Sequence, residues 1–349
     1  MDEESRRGRI KCVVWDLDNT LWDGVLLEGD AGGLRPEMAA AIEELDRRGV
    51  LQSVASKNDP DAAGERLRAL SIDDMFVYPQ ISWNAKSDAI GRIAKALNIG
   101  IDAIAFVDDQ EFERAEVAHV HPAVWCLDPT EVIAALDAPE LNPRFITEES
   151  RQRRHLYRSQ IARDEEERVF TGTSEDFLAS LKMTFIIREA SRDDLQRAEE
   201  LTVRTNQLNS TGRTYSYDDL DVLRTSPDHL VLVAELEDRF GSYGTIGLAL
   251  VECGVPHWHL RLLLMSCRTM SRGVGTILLN HIMAQARDAG ARLRADFVET
   301  GRNRMMQITY AFAGFVEVQR DGAQVLLESD LTNVQPPAPY LTVVTAASR

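Results

Sequence analysis

The sequence predicts an α/β protein made of two successive domains, the first of them built on a parallel sheet. Three observations carry this. The chain has 349 residues, and at ~150 residues per domain that length suits about two domains, each with its own core. In the first 135 residues short apolar runs alternate with helix-like stretches, which is the pattern of βαβ units. From residue 183 onward strand candidates follow one another with fewer helices between them, so a second α/β domain with antiparallel hairpins and one parallel crossover is expected.

Taken in order, the runs KCVVWD (11–16), LQSVAS (51–56), MFVY (75–78), AIAFVDD (103–109) and VWCL (124–127) read as strands. Helices are expected over 35–48, 60–70 (opened by Asp59-Pro60), 85–97 and 110–118. In such a sheet the chemistry lies outside the carboxyl ends of the strands, where two of these runs end in acids. Residues 1–137 form this first domain. The stretch 138–182 reads as a linker with a charged helix, because DAPELNPRFIT is polar and holds two prolines. That helix, 148–168, is basic at Arg151, Arg153, Arg154 and Arg158 and acidic from Asp164 to Glu167. It reads either as a solvated face or as a docking surface for an acidic partner.

The second domain spans 183–331. It starts with strand MTFIIRE and helix 192–205, followed by strands 230–236, 244–251 and 257–265. Helix 274–289, strand 292–298, helix 303–312 and strands 315–319 and 323–328 complete it. The tail 332–349, with Pro336, Pro337 and Pro339, is expected to end loosely.

Composition narrows the function classes. The chain has 39 basic and 56 acidic residues, a net charge of −17, and a mean hydropathy of −0.24. Such acidity argues against nucleic acid as a partner, since phosphates demand a basic surface. No run reaches the ~18 apolar residues of a membrane span, so no membrane partner is expected. Cys12, Cys126, Cys253 and Cys267 form no CxxC and lie far apart, which disfavours a zinc site or a disulfide framework. The N-terminus MDEESRRGRI has no apolar signal region. A soluble, cytoplasmic protein is the expectation.

The first half carries a carboxylate constellation. WDLDNT puts Asp16 and Asp18 two residues apart at the end of a buried strand. One carboxylate there can attack phosphorus or hold Mg²⁺, and the next can move a proton to or from the reacting oxygens. Ser56 ends the second strand, where a hydroxyl and backbone amides suit a phosphate. Lys86 opens a helix and can neutralise a transferring phosphoryl group. Asp108 and Asp109 end the fourth strand and can complete an oxygen-rich Mg²⁺ site.

In the second half, MSRGVGT places Gly273 and Gly275 at a turn before a helix, a place where backbone amides cradle phosphates. Just upstream, LLLMSCR sets Cys267 beside Arg268 at a strand end, and nearby positive charge favours the thiolate. TNQLNSTGRTYS (205–216) is polar and reads either as an ordinary polar loop or as one that offers Asn206, Asn209 and Arg213 to a ligand's hydroxyls and amides.

Residues 11–135 resemble the haloacid dehalogenase (HAD) phosphatases and phosphotransferases, with all four motifs in order. The resemblance implies Asp16 as nucleophile, Asp18 as general acid/base, Thr20, Ser56 and Asn58 on phosphate, and Lys86 as charge neutraliser. Mg²⁺ would be held among Asp16, Asp18, Asp108 and Asp109. Only about 30 residues separate the first motif from the second strand, which leaves no room for a large cap. The second half resembles the GNAT acyltransferase fold, although Met270 stands where that fold carries Gln or Arg. VVWDLDNTLWDGVLLEGD, FVDDQEFERAEV, TNQLNSTGRTYS, LMSCR and SRGVG together resemble the FkbH-like proteins of polyketide pathways over roughly residues 10–330.

That resemblance implies an activity. A glyceryl unit from D-1,3-bisphosphoglycerate passes to the phosphopantetheine thiol of an acyl carrier protein with removal of phosphate, giving a methoxymalonyl-type or tetronate precursor. The glyceryl group would rest on Cys267 on the way or pass straight to the carrier's thiol. The alternative is a simple Mg²⁺-dependent HAD phosphatase with a C-terminal protein-docking domain.

Overall fold

The computed structural model describes residues 8–30 and 32–345, apart from the side chain of Ser271. The chain divides into two compact units, Met1–Arg158 and Ser159–Arg349. Both are α/β, as expected: the first on a parallel sheet and the second on a mixed one.

In the first unit, β1 (Cys12–Trp15), β2 (Leu51–Ser56), β3 (Gln80–Ile81), β4 (Ile104–Val107) and β5 (Trp125–Leu127) form an all-parallel sheet in the order β3-β2-β1-β4-β5. The helices are α1 (Pro36–Arg47), α2 (Pro60–Ala69), α3 (Lys86–Leu97), α4 (Glu111–Val120) and the single turns α5 (Val132–Ala135) and α6 (Glu148–Arg151). Sequence explains their starts. Pro36 and Pro60 occupy first helical positions, where the missing N–H costs nothing, and Asp59 accepts from the amides of Asp61 and Ala62. β1 and β4 are buried along their whole length, which is why they read as continuous apolar runs. Between β1 and β2, one 3-10 turn and α1 are the described elements, with no cap domain.

One strand expectation is corrected here. MFVY is not a strand: Tyr78 turns to φ +51 just before Pro79, and pairing begins only at Gln80. A left-handed residue followed by a proline without an N–H cannot continue a ladder.

In the second unit, the end of α7 (Arg153–Val169) and α8 (Ser174–Ser180) precede β6 (Met183–Glu189), α9 (Leu195–Arg204) and α10 (Tyr217–Thr225). Then come β7 (His229–Asp238), β8 (Gly241–Glu252), β9 (His257–Met265), α11 (Val274–Asp288), β10 (Arg292–Val298), α12 (Arg304–Phe312), β11 (Val316–Asp321), β12 (Gln324–Ser329) and β13 (Leu341–Thr345). The sheet order is β11-β12-β10-β9-β8-β7-β6-β13. β9 and β10 are parallel, as are β6 and β13, and the other neighbours are antiparallel. One face packs on α11 and α12 through Leu260, Leu278, Ala295 and Tyr310. The other packs on α9 and α10 only over β7, β8 and the end of β9, through Leu201, Leu220, Val233 and Leu262.

Two features depart from the sequence reading. The tail does not end loosely, because its residues 341–345 pair with β6 as β13. α10 follows directly on the polar 205–216 segment, started by a capping box of Ser216 and Asp219.

The basic helix also has a structural role. Arg154 binds Asp46 at 2.9 Å and Asp74 at 2.9 Å, Arg158 donates to the Asp74 carbonyl, and Arg153 is buried. Arg153 and Arg154 are thus engaged inside the first unit, whereas Arg151 and Arg158 remain exposed on the helix.

Candidate active site

The site grows out of the order of the parallel sheet. β1 and β4 are adjacent and in register, Trp15 opposite Val107, and each strand is followed at once by an aspartate. The amide of Asp16 donates to the carbonyl of Val107 at 2.9 Å. Asp16 and Asp108 therefore stand side by side at the carboxyl edge, where the strand order reverses and such sheets bind ligands. Both are buried.

Lys86, the first residue of α3, reaches between them, with Nζ 2.8 Å from Asp16 Oδ1 and 2.5 Å from Asp108 Oδ2. The lysine is itself 3 % exposed. Asp108 is fixed further by the Gln110 amide at 2.9 Å, and its carbonyl accepts from Arg114 at 2.6 Å. Asp109 joins the group, and its amide donates to Thr20 Oγ1 at 3.2 Å.

Burial pushes the Asp16 carboxyl up to about 6, against the opposing pull of Lys86. Asp108 and Asp109 are also raised, first by burial. Lys86 is held above its ordinary value because Asp16 and Asp108 outweigh its own burial. Ligand oxygens of Asp16, Asp108 and Asp109 all lie within 4.8 Å of one another. Oδ1 of Asp109 is buried and has no hydrogen-bond partner. Three carboxylates against one ammonium leave a charge deficit of two, so this oxygen-only donor set fits a divalent cation such as Mg²⁺.

Asp18 is placed differently. Its Oδ1 accepts from Trp22 Nε1 at 2.8 Å and from the Leu26 amide at 3.1 Å, and its Oδ2 accepts from Asn58 Nδ2 at 2.9 Å. It is not among the three clustered carboxylates, so Asn58 and Asp18 form a separate pair beside them. The Ser56 hydroxyl bonds Asp16, and Thr20 is fully buried. Sequence reasoning missed the indole of Trp22 as the group that orients Asp18; its spacing of four residues from Asp18 was the available signal.

The residues named in the second unit do not converge in the same way. Cys267 is partly buried and opens a 3-10 turn, Cys267–Arg272, that separates it from α11. Arg268 donates to the Tyr243 carbonyl at 2.9 Å. Asn209 is fully buried, accepting from the amides of Thr211 and Gly212 and donating to the Thr205 carbonyl, so its side chain shapes a turn. Asn206 is exposed in that same segment. Gly273 has φ +71, and a Cβ there would meet Tyr340 Oη at 3.3 Å; one on Gly275 would meet Met265 Cγ at 3.3 Å. The glycines thus admit close packing by the chain itself. A slot of about 70 Å³ runs beside them, lined by Met265, Met270, Thr276 and Met306. Arg213 lies elsewhere, on a cavity with His259 and Asp296.

Among the described residues no helix is long and apolar enough to cross a membrane. No family model and no curated protein matches the chain. Among solved structures it is similar to the N-terminal, phosphatase-domain part of a Bacteroides fragilis protein crystallised with Mg, at 29 % identity over 40 % of this chain and 41 % of that one, TM-score 0.33. It therefore spans less than half of that structure. It is also similar to the ribosomal-protein-S18-alanine N-acetyltransferase of Escherichia coli, at 15 % identity over 44 % of this chain and 97 % of that one, TM-score 0.34. A Thermoplasma acidophilum N-acetyltransferase solved with coenzyme A gives 17 % identity over 42 % and 98 %, TM-score 0.31.

Proposed function

We propose that the chain is an FkbH-like enzyme that loads the glyceryl unit of D-1,3-bisphosphoglycerate onto the phosphopantetheine thiol of an acyl carrier protein and removes phosphate. One arrangement supports the phosphate chemistry above all. Asp16 and Asp108 end adjacent parallel strands in register, with the Lys86 ammonium between them.

In this reading the Asp16 carboxylate attacks phosphorus. An O–P bond forms as the bond to the leaving oxygen breaks, and Asp18 gives that oxygen a proton. Asp18 then takes a proton from water, whose oxygen displaces Asp16 and releases inorganic phosphate. Trp22, Asn58 and the Leu26 amide hold Asp18 in place for both transfers. Lys86 offsets the charge of the phosphoryl oxygens, and the Thr20 and Ser56 hydroxyls steady Asp109 and Asp16 beside them. Asp16, Asp108 and Asp109 would hold Mg²⁺, which supplies Lewis-acid neutralisation of phosphoryl charge when bound.

The acyl step follows from the substrate. A thiolate attacks the carbonyl of the acyl phosphate, a C–S bond forms, and the C–O bond to phosphate breaks. The remaining phosphate is a monoester, which needs an aspartate site of the kind described. Cys267 or the carrier's own thiol supplies the thiolate.

A second reading has an observation in its favour. Asn209, Gly273 and Gly275 serve the packing of their own unit, which suits a Mg²⁺-dependent phosphatase whose C-terminal unit only docks a partner. Intact-protein mass spectrometry separates the two. The chain and its Cys267→Ala variant are incubated with Mg²⁺ and enzymatically generated 1,3-bisphosphoglycerate, with and without holo carrier protein. A glyceryl adduct that moves from the wild type to the carrier, and is missing in the variant, is the expected result. Carrier loading by the variant removes Cys267 from the path. Phosphate release with no adduct on either protein favours the second reading.

A further inference from the structure

The sheet of the second unit is covered unevenly. On the face that α9 and α10 pack against, helices shield β7, β8 and the end of β9. Beyond them β10 and β12 alternate so that Leu293, Ala295, Phe297, Val325 and Leu327 point to the opposite core, and β11 at the edge is exposed throughout. The uncovered face therefore carries Asp296 and Gln324 with Gln319 beside them, and Arg213 of the 205–216 segment closes one side. Together with His259 of β9 and Asp321 these residues line a cavity of about 280 Å³.

The polar groups in it are organised. His259 Nε2 lies 2.7 Å from Asp296 Oδ1, and Arg261 Nη1 lies 3.4 Å from Asp296 Oδ2. Burial alone would raise the Asp296 carboxyl, yet His259 and Arg261 hold it below its ordinary value, so it is a carboxylate. With Nε2 engaged by that carboxylate, Nδ1 is the ring nitrogen left to meet a ligand. Arg213 differs from Arg261. It approaches Asp296 only at 3.9 Å, its side chain is 50 % exposed, and its other partner is the neutral Tyr215 hydroxyl, so its guanidinium can take an anion without breaking a tight ion pair. The cavity thus offers one guanidinium, an oriented imidazole, the amides of Gln319 and Gln324 and the carboxylates of Asp296 and Asp321, a set that suits a ligand with a single carboxylate for Arg213 and several hydroxyls to donate to the acids.

We propose that this cavity binds a small hydroxylated carboxylate, its carboxylate on Arg213 and its hydroxyls on His259, Asp296 and Gln324. None of the chemistry assigned to Asp16 or Cys267 uses these groups. The assignment rests on the proposed function only for the choice of probe, D-glycerate.

The test is titration of the full-length protein with D-glycerate, read by isothermal calorimetry and by ligand-observed NMR, with glycerol as the probe that lacks the carboxylate. Saturable binding of glycerate is expected, with glycerol and the Arg213→Ala variant each weaker by about tenfold or more. Gln324→Leu, an exposed position on the cavity wall, is expected to weaken binding less, by a few-fold at most. Melting curves for both variants establish that they fold. If the wild type does not bind glycerate, or if both variants bind it as well as wild type, the assignment is overturned. Phosphate release by the wild type, measured in parallel, keeps the two proposals apart. Its absence with glycerate still bound overturns the phosphatase reading alone, and its presence without glycerate binding overturns this one alone.

Discussion

Each unit of the molecule buries a cluster of charge, and the two clusters are finished to different degrees. In the second unit Arg163 of α7 is 1 % exposed and forks onto Asp238, with both N–H···O distances 2.8 Å. Asp238 also accepts from the Phe240 amide at 2.8 Å and from Tyr243 Oη at 2.9 Å, and the guanidinium lies 3.9 Å from the Tyr243 ring centre. One cation meets one anion, and both carboxylate oxygens are satisfied. In the first unit Lys86 bridges Asp16 and Asp108 beside a third carboxylate, Asp109, Asp16 is pushed up to about 6, and one oxygen of Asp109 has no hydrogen-bond partner. Complete pairing is a structural device, because every desolvated charge has its compensation. Incomplete pairing keeps a region of negative potential that a cation from solution can complete, which suits the proposed phosphoryl-transfer site.

The largest expected effect comes from the unfinished cluster. Asp16→Asn keeps the shape of the side chain and removes the carboxylate proposed as nucleophile, so Mg²⁺-dependent phosphate release should fall by roughly 10⁴-fold or more. A phosphate-release assay on a simple phosphomonoester reads this directly. Full activity in the variant would mean that the cluster is structural after all and would erase the contrast between the two units.

How much of that contrast the sequence carried depends on how far apart the partners lie. Asp16 and Asp108 could be placed together because a buried strand ending in an acid is a local signal, and the parallel-sheet rule supplies the rest. Lys86 at a helix start was legible for the same reason. Pairings across long separations were not. Arg154 meets Asp46 across 108 residues, and a run of arginines looks the same whether it faces a partner or its own core. His259 and Asp296 are joined by the parallel register of β9 and β10, which no local pattern encodes, although polar residues at alternate positions of an apolar strand were a faint sign of it. The tail was misjudged because β13 finds its partner in β6, more than 150 residues away, whereas the three prolines before it were in plain view. The boundary of MFVY failed on a single left-handed residue, Tyr78.

A smaller effect is expected from the finished cluster. Arg163→Met leaves the Asp238 carboxylate buried without its cation, and should cost about 3–5 kcal/mol of stability in the second unit. Replacing both partners, Arg163→Met with Asp238→Leu, should recover part of that, since no charge is then left desolvated. Denaturant melts of the three proteins measure it. If the double variant is no more stable than the single one, Asp238 was held by its other donors and the pair is not a closed unit.

The smallest effect sharpens the comparison most, because it has opposite signs in two conditions. Asp109 contributes a carboxylate that burial and the nearby Asp16 both disfavour as an anion, and its Oδ1 is unpaired. Asp109→Asn removes that charge while keeping the side chain's size. The metal-free variant should therefore be as stable as the wild type or more stable, by about 1 kcal/mol at most. Mg²⁺ should reverse the order. A cation that binds the folded state stabilises it by RT ln(1 + c/Kd), with c the free Mg²⁺ concentration, and the variant has lost one of the three proposed ligands. Thermal melts of both proteins, with chelator and then across a Mg²⁺ titration, supply the four numbers needed. A variant less stable than wild type in chelator would show that Asp109 is already compensated within the fold, as Asp238 is. A variant with an undiminished Mg²⁺ shift would place the cation on Asp16 and Asp108 alone.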